Sequence, residues 1–435
     1  MTALAGASLK TTPVATGKLV RTWFILLPLL YYANSGFPGS ADTASSANFS
    51  LTHQIGLLVV SIICSALIFK KLAAIFASSL KLKLIVALPM LAILSCAWSV
   101  DPRQSLVSAI TLLCFTLFAI YLSETFSTGG QLDLIMLTGA IAVPVSIALA
   151  IFVPSIGASS SGWRGIFTHK QQCAAAVTLF LVTALHWKPD SPVQRPLRAI
   201  YIVLCIFLII MSQSRTGWLL TLFAIVLSAS LWFLQKLAAK DAFFLVLTTI
   251  PIVGGLVYLF SLLASVILTS VGKDPTLSER TIIWSAVWDA ITQHPWLGYG
   301  YEAFWQGLQG ASKNVVLIAG WSLSQAQSGY LDLWLQLGIC GIVILVLMTG
   351  QAAIDVFRSF RDTANATFVR WCAVVILCNL VYNIGESDFG YLRILWFLFV
   401  LACIGLRKEA SVLEESGGRV RNLQQQIPRA FQLEV

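Results

Sequence analysis

The sequence predicts an all-α polytopic membrane protein with about twelve transmembrane helices and one large external loop. Of its 435 residues, 57% are hydrophobic and 11% are charged, whereas charged residues make up about 25% of a soluble domain. The apolar residues form runs long enough to cross a hydrocarbon core of about 30 Å as helices. Because lipid offers the backbone no hydrogen-bond partners and the runs lack barrel-type alternation, helices are the predicted spanning elements.

The predicted spans, in chain order, are residues 22–38, 53–69, 84–100, 104–123, 131–154, 171–187, 198–212, 216–234, 242–269, 330–353, 368–385 and 389–406. The first run also resembles a signal-peptide core. The connections alternate correctly between the two sides of the membrane only if this run is kept as a span, so we expect it to remain as an anchor. The predicted organisation is a tail at 1–21, nine spans within 22–269, a large loop with a short amphipathic helix at 270–329, three spans within 330–406 and a tail at 407–435.

Positive charge predicts the orientation of these spans. Most of the 28 Lys and Arg residues lie in the two tails and in the connections 70–83, 188–198, 235–241 and 354–370. Because Lys and Arg near span ends favour the cytoplasm, these segments and both termini are predicted to be cytoplasmic. The other cations fall on the external side: Arg103, Arg164, Lys170, Arg215, Lys273, Arg280, Lys313 and Arg393.

Three of these external arginines stand in short or distinctive loops, namely Arg164 in GWRGIFTHK, Arg215 in SQSRTG and Arg280 in SERTIIW. Snorkelling to the membrane surface explains any one of them, and pairing with an external carboxylate such as Glu279 is an alternative for Arg280. A shared anionic ligand explains several together. Arginine binds phosphate through two parallel hydrogen bonds and keeps its charge, so a lipid diphosphate is the predicted ligand.

Other ligand classes are not indicated. No D-x-D motif or other external carboxylate pair suggests a magnesium site, so no metal or other cofactor is expected. The nine cysteines lie inside apolar runs without a C-x-x-C pair, which favours packing roles. The net charge of +9 is not concentrated in a basic cluster interleaved with aromatics, so a nucleic-acid partner is not expected.

Candidate general bases on the external side are His169, Glu302, Asp332 and Glu386. Each carboxylate has an alternative reading as the ion-pair partner of an external arginine, and His169 has one as a packing residue at a helix N-terminus. The residue types alone leave these alternatives open.

Six segments occur in a recognisable order: WRGIFTHK (163–170), SQSRTGWL (212–219), KDPTLSERTIIW (273–284), HPWLGYGYEAFW (294–305), AQSGYLDLWLQLG (326–338) and NIGESDFG (383–390). With them the chain resembles the O-antigen ligase and O-antigen polymerase superfamily, especially its exopolysaccharide-production polymerase branch. The resemblance runs from about Arg164 to Trp396.

The resemblance implies a GT-C-like fold and a metal-independent, inverting glycosyl transfer at the periplasmic face of the bacterial inner membrane. It implies an undecaprenyl-diphosphate-linked glycan as donor, a saccharide acceptor, and a chain-length regulator as a candidate partner. Arg215 and Arg280 match positions that hold the diphosphate in the family.

The chain departs from the family at Gln327-Ser328, which align with a histidine–asparagine pair of the ligases. Glutamine accepts no proton near neutral pH, so another group, with Glu302, Glu386 and His169 as candidates, has to serve as base, or the chemistry relies on leaving-group stabilisation. We expect Gln327 to orient the acceptor sugar with Ser328 and Tyr330 beside it, and helix capping by Ser328 is the alternative. This departure favours a repeat-unit polymerase over a lipid A-core ligase.

Two further function classes remain as alternatives, a lipid-glycan flippase and a structural partner in an export complex. A transporter usually carries polar groups near the bilayer midplane on broken helices. Here nearly every charged residue falls at a span end. That distribution favours chemistry at the membrane surface, and a purely structural role leaves the external arginines unexplained.

Overall fold

The computed structural model describes residues 13–34, 51–236, 278–321, 323–360 and 365–426. The first part of the bundle contains α1 (Pro13–Asn34), α2 (Leu51–Phe69), α3 (Leu72–Lys81), α4 (Lys83–Leu94), α5 (Pro102–Thr125), α6 (Thr128–Phe152) and α7 (Pro154–Gly157). A small antiparallel ribbon follows, with β1 (Ala158–Ser159) paired to β2 (Gly162–Trp163). The remaining elements are α8 (Lys170–His186), α9 (Gln194–Met211), α10 (Arg215–Leu234), α11 (Ser278–Gln293), α12 (Lys313–Ala319), α13 (Gly329–Ser359), α14 (Ala366–Gly385) and α15 (Ile394–Gln426).

The described residues contain six helices long and apolar enough to cross a membrane, or seven if the bent pair of α2 and α3 forms one span. The six are α5, α6, α9, α10, α13 and α14. This architecture fits the predicted all-α polytopic class. The number of twelve spans and the GT-C arrangement stay predictions, and the predicted span at 242–269 lies outside the described residues.

Helix α14 runs antiparallel to its neighbours α8, α10 and α13, which brings particular termini together. Near the start of α14, the indole nitrogen of Trp371 donates to Thr183 Oγ1 in the last turns of α8, at 3.0 Å. Arg370 donates to Gln235, the residue that follows α10. Gly329 N donates to Glu386 O at 2.9 Å, which ties the start of α13 to the end of α14. We call the end of the bundle where α8, α10 and α13 begin and α14 ends the loop end, and the opposite one the far end.

Helix α13 is broken at Gly338, whose φ of 66° and ψ of −165° are not helical. The break leaves backbone groups without helical partners, and the segment after α11 bonds to them. Tyr299 N donates to Leu335 O at 2.9 Å, Gly300 N donates to Gln336 O at 3.0 Å, and Ile339 N donates to Pro295 O at 2.9 Å. Irregular backbone inside a membrane protein is tolerated where protein satisfies it in this way.

The same segment also docks against the residue that follows α4 and the first turn of α5. Tyr301 N donates to Ser95 Oγ at 3.0 Å, and Ser105 Oγ donates to Tyr301 O at 2.8 Å. Beside it, α11, α12 and the loop around them form a small hydrophobic core with Leu335 of α13, built around Val287 and Phe304. The described part of the large connection therefore presents its residues from a fixed position at the loop end.

We expect Gly338→Ala to destabilise the protein. The φ and ψ at this position belong to a region that only glycine adopts readily, at a cost of about 1–3 kcal/mol for other residues, and an added Cβ would lie 2.1 Å from Trp296 O. Thermal unfolding of the purified protein measures the effect. Gly350→Ala, in the same helix and with no atom within 4 Å of the added Cβ, is the control and should leave the unfolding temperature unchanged or slightly raised. Equal unfolding temperatures for the two variants would contradict the assigned role of the break.

Candidate functional site

The guanidinium of Arg280 joins three segments of the chain at the loop end. Arg280 lies in the first turn of α11, and its Nε donates to Gln327 Oε1 at 3.1 Å, just before α13 begins. Its Nη2 forms a salt bridge of 2.8 Å with Glu386 Oε1, directly after α14. The side chain of Arg280 is 24% exposed and that of Glu386 is 8% exposed. The arginine is therefore held in a fixed orientation while part of its charge still faces outward.

Small residues make this close approach feasible. A Cβ added to Gly385 would lie 2.7 Å from Arg280 Nη1, so glycine leaves the room that the guanidinium occupies. Asn383 Oδ1 accepts from Asp388 N at 2.7 Å and from Phe389 N at 3.0 Å, which fixes the turn that carries Glu386. Gln327 has a φ of 53°, a left-handed conformation that costs energy for a residue with a side chain. Such strained residues cluster at binding and active sites.

Asp332 is fully buried in the first turn of α13 and anchors the chain beside Gln327. Its Oδ2 accepts from Ala326 N at 2.8 Å, and its Oδ1 accepts from the indole nitrogen of Trp305 at 2.8 Å. With both oxygens bonded to protein groups, Asp332 acts here as a positioning residue. It fixes both the approach to α13 and the loop that carries Glu302.

Glu302 is a residue of intermediate exposure next to this anchor, and its φ of 56° is also left-handed. Its backbone nitrogen donates to Gln336 Oε1 at 3.3 Å. Burial raises the pKa of Glu302 to about 7, with Arg393 acting to lower it and Asp332 acting to raise it. A carboxyl group with a pKa in this range is suited to accept a proton near neutral pH.

Arg393 lies among the carboxylates of this region. Its Nη1 donates to Ser387 O at 2.8 Å and stands 4.0 Å from Asp388 Oδ1. Burial raises the pKa of Asp388 to about 7 against the opposing charge of Arg393, and burial likewise raises the pKa of Glu386 against the opposing charges of Arg280 and Arg393. The sequence placed Arg393 among the external cations but gave no reason to select it. The contacts that distinguish it exist only in the fold.

Part of the chain matches a known protein family. Residues 200–346 match the family model O-Antigen ligase. The resemblance to the O-antigen ligase and polymerase superfamily is thereby confirmed for that part of the chain, which includes Arg215, Arg280, Glu302 and Gln327. The match indicates an enzyme of O-antigen ligase or polymerase type in a multi-pass membrane protein. A search of curated proteins found no match.

The other candidate residues selected from the sequence lie elsewhere at the loop end. Arg164 donates through Nε to Ile156 O at 2.8 Å and through Nη2 to Ser155 O at 3.3 Å, so its guanidinium holds its own loop. Arg215 is exposed at the N-terminus of α10, and His169 is exposed directly before α8. Within the described residues, no hydrogen bond or salt bridge joins these three to Arg280.

Ser328 and Tyr330 border Gln327 but face the protein. Ser328 is buried at the N-cap position of α13, and its side chain makes no capping hydrogen bond, so the capping alternative is wrong. The hydroxyl of Tyr330 donates to Leu380 O at 3.0 Å, and its ring packs edge-on against Phe389. In the part of the chain that the structure describes, no group of three or more His, Cys, Asp or Glu side chains is arranged to hold a metal ion.

We expect Gly385→Ala to lower glycan transfer by about tenfold or more, because the new methyl group would displace the guanidinium from a charge-assisted hydrogen bond of about 1.5–3 kcal/mol. The initial rate of glycan transfer by the reconstituted enzyme measures the effect, and the unfolding temperature shows whether the fold is kept. Gly350→Ala, a helical substitution into open space, serves as the control. An unchanged rate in Gly385→Ala would show that the position of the Arg280 guanidinium is unimportant.

Proposed function

We propose that the protein is a membrane glycosyltransferase that joins undecaprenyl-diphosphate-linked oligosaccharide repeat units into exopolysaccharide or O-antigen. The reaction takes place at the periplasmic face of the bacterial inner membrane, with both termini in the cytoplasm, and it is metal-independent and inverting. The observation that supports this function best is the fixed, partly exposed Arg280 between Gln327 and Glu386. Its residue type and its setting suit a diphosphate that leaves as an anion.

In the proposed reaction, a hydroxyl oxygen of the acceptor sugar attacks the anomeric carbon of the donor. The bond between that carbon and the diphosphate oxygen breaks, and the electron pair leaves with the diphosphate. Arg280 and the exposed Arg215 bind the departing anion, while Gln327 orients the acceptor through its amide. An oxocarbenium-like transition state needs little activation of the nucleophile when the leaving group is well stabilised.

The hydroxyl proton goes to Glu302 in this proposal. Its pKa, which burial raises to about 7, makes it the best-suited base among the candidates. Glu386 is engaged in the salt bridge with Arg280, which fits an orienting role. His169 stays a candidate for contact with the acceptor from the N-terminus of α8.

A polymerase is favoured over a lipid A-core ligase because Gln327 stands where the ligases carry a histidine. The description of the matched family model keeps the ligase as the second candidate. A flippase is the third, since a broken helix such as α13 is also typical of transporters. The carbonyls of Leu335 and Gln336 at this break are bonded to Tyr299 and Gly300, which favours a structural use of the break.

The test is reconstitution of the purified protein in liposomes with lipid-linked repeat units. We expect longer lipid-linked chains, an inverted configuration at the new linkage, and the same rate after addition of a chelator. Transfer only to added lipid A-core would identify a ligase. A labelled lipid that crosses the bilayer without chain growth would identify a flippase.

A further inference from the structure

Helix α3 lies at the far end and turns sharply away from α2, by 91°. One side of α3 is fixed to the bundle. Lys71 Nζ donates to Glu124 O at 3.0 Å, Ser78 Oγ donates to Glu124 Oε1 at 2.9 Å, and Ile75 between them is buried. If α2 crosses a membrane, α3 therefore lies nearly parallel to the membrane surface.

The opposite side of α3 is apolar and exposed. Leu72, Phe76 and Leu80, spaced one helical turn apart, are 52%, 65% and 56% exposed. Lysines stand at both ends of this stripe, at positions 70, 71, 81 and 83. An apolar helix face bordered by lysines is the pattern of a helix that lies at the boundary between lipid headgroups and acyl chains.

A pocket of about 140 Å³ opens where α3 meets α4, between these helices and the far-end parts of α13 and α15. Its polar lining consists of Lys81, Lys83, Gln351, Asp355 and Arg407. Asp355 is buried, and its Oδ1 accepts from Gln351 Nε2 at 2.9 Å and from Arg407 Nη1 at 3.2 Å. Its Oδ2 has no hydrogen-bond partner among the described residues.

The cations and the unpartnered carboxylate oxygen of this pocket suit a ligand that carries both an anionic group and a hydrogen-bond donor. The three cations outnumber the single carboxylate, and Lys81 and Lys83 are both exposed at the rim. Asp355 Oδ2 is a buried acceptor, and a buried polar atom without a partner is costly unless a ligand or water supplies one. The adjacent stripe of α3 offers an apolar surface to hydrocarbon chains.

We propose that this pocket binds the headgroup of an anionic glycerophospholipid of the phosphatidylglycerol type. Lys81, Lys83 and Arg407 hold the phosphodiester, a headgroup hydroxyl donates to Asp355 Oδ2, and the acyl chains lie along Leu72, Phe76 and Leu80. The excess of positive charge selects against zwitterionic lipids. From the break at Gly338 to Asp355, α13 rises by roughly 25 Å, and Arg280 lies on the other side of that break beside Gln327, so this lipid site is separate from the candidate site at Arg280.

The experiment measures lipid binding to the full-length protein in detergent by native mass spectrometry, with thermal unfolding as a second readout. Phosphatidylglycerol should bind and raise the unfolding temperature, whereas phosphatidylcholine, phosphatidylethanolamine and free glycerol 3-phosphate should bind more weakly. Each lysine near an anionic lipid contributes about 1 kcal/mol. The double variant Lys81→Ala/Lys83→Ala should therefore weaken phosphatidylglycerol binding by roughly 20- to 30-fold.

Lys188→Ala is the matched control, because this exposed lysine follows α8 at the same end of the bundle but neither borders α3 nor lines the pocket. It should keep the affinity of the unaltered protein. Phe76→Ser, at a 65% exposed position, should weaken phosphatidylglycerol binding without unfolding the protein. Equal binding of zwitterionic lipids would overturn the selectivity, equal binding of glycerol 3-phosphate would reduce the pocket to a soluble-anion site, and full binding by the lysine double variant would overturn the proposal.

Discussion

Arg280→Ala is expected to lower chain growth by about 100- to 1000-fold, the usual effect of removing a group that stabilises charge in a transition state. Arg280 is the one cation that directly contacts both Gln327 and Glu386 among the described residues. Its removal takes away the proposed ligand of the leaving diphosphate. The measurement is the initial rate of chain growth from lipid-linked repeat units in liposomes.

The same substitution leaves Glu386 buried without its salt-bridge partner, so an effect on folding has to be separated from one on chemistry. The double variant Arg280→Ala/Glu386→Ala removes the unpaired charge and should recover the unfolding temperature, but not the rate. A purely structural role of the pair predicts that both recover. Arg280→Lys keeps a positive charge without the guanidinium fork and should be intermediate.

The surface pair Arg358–Glu414 supplies a matched control for this experiment. Both side chains are about half exposed, at 49% and 51%, so their interaction is screened by water and contributes little. Arg358→Ala should therefore leave chain growth and the unfolding temperature unchanged. Loss of activity in Arg358→Ala as large as in Arg280→Ala would remove the argument for a specific diphosphate ligand.

Hydropathy predicted helices well where the chain forms straight apolar segments, but it missed two local features. The predicted span at 330–353 is mostly apolar and was read as one continuous helix, so it gave no sign of the break at Gly338, which depends on bonds from residues 295–300. The segment 70–83 was predicted as a plain cytoplasmic connection, because its flanking lysines dominated the charge count. Its apolar residues form α3 instead.

The candidate site was predictable in its parts but not in its assembly. Arg280, Gln327 and Glu386 were each selected by residue type and motif. They are brought together across separations of 47 and 106 residues in the chain, and one sequence does not encode such pairings in any local pattern. Arg393 was overlooked for the same reason, since its proximity to Asp388 and its effect on Glu302 arise from tertiary packing.

Glu302→Gln is expected to lower chain growth by about 100- to 10,000-fold, the range for loss of a general base or acid. Because the carboxylate form accepts the proton, the rate of the unaltered enzyme should rise with pH and level off above about pH 7, the value to which burial raises the pKa of Glu302. The amide cannot be ionised, so the residual rate of the variant should lack this inflection. The readout is chain growth measured across pH 5 to 9 in liposomes of constant lipid composition.

Stability gives an independent measurement on the same group. The pKa of Glu302 is raised from 4.5 to about 7 in the folded protein, so its neutral form is favoured there. This contribution to stability is fully present below pH 4.5 and is lost as the pH rises through about 7. The unfolding temperature of Glu302→Gln should therefore depend less on pH in that window than that of the unaltered protein.

A substitution at Asp388 separates the role of Glu302 as general base from its effect on stability. Burial raises the pKa of Asp388 to about 7 as well, and Arg393 lies beside it. Asp388→Asn should also flatten the pH dependence of stability, yet it should keep the inflection in the rate, since Glu302 remains. If the inflection in the pH–rate profile disappears in Asp388→Asn and persists in Glu302→Gln, the base is Asp388. The loop that carries Glu302 then serves only to bond the backbone groups at the break of α13 at Gly338.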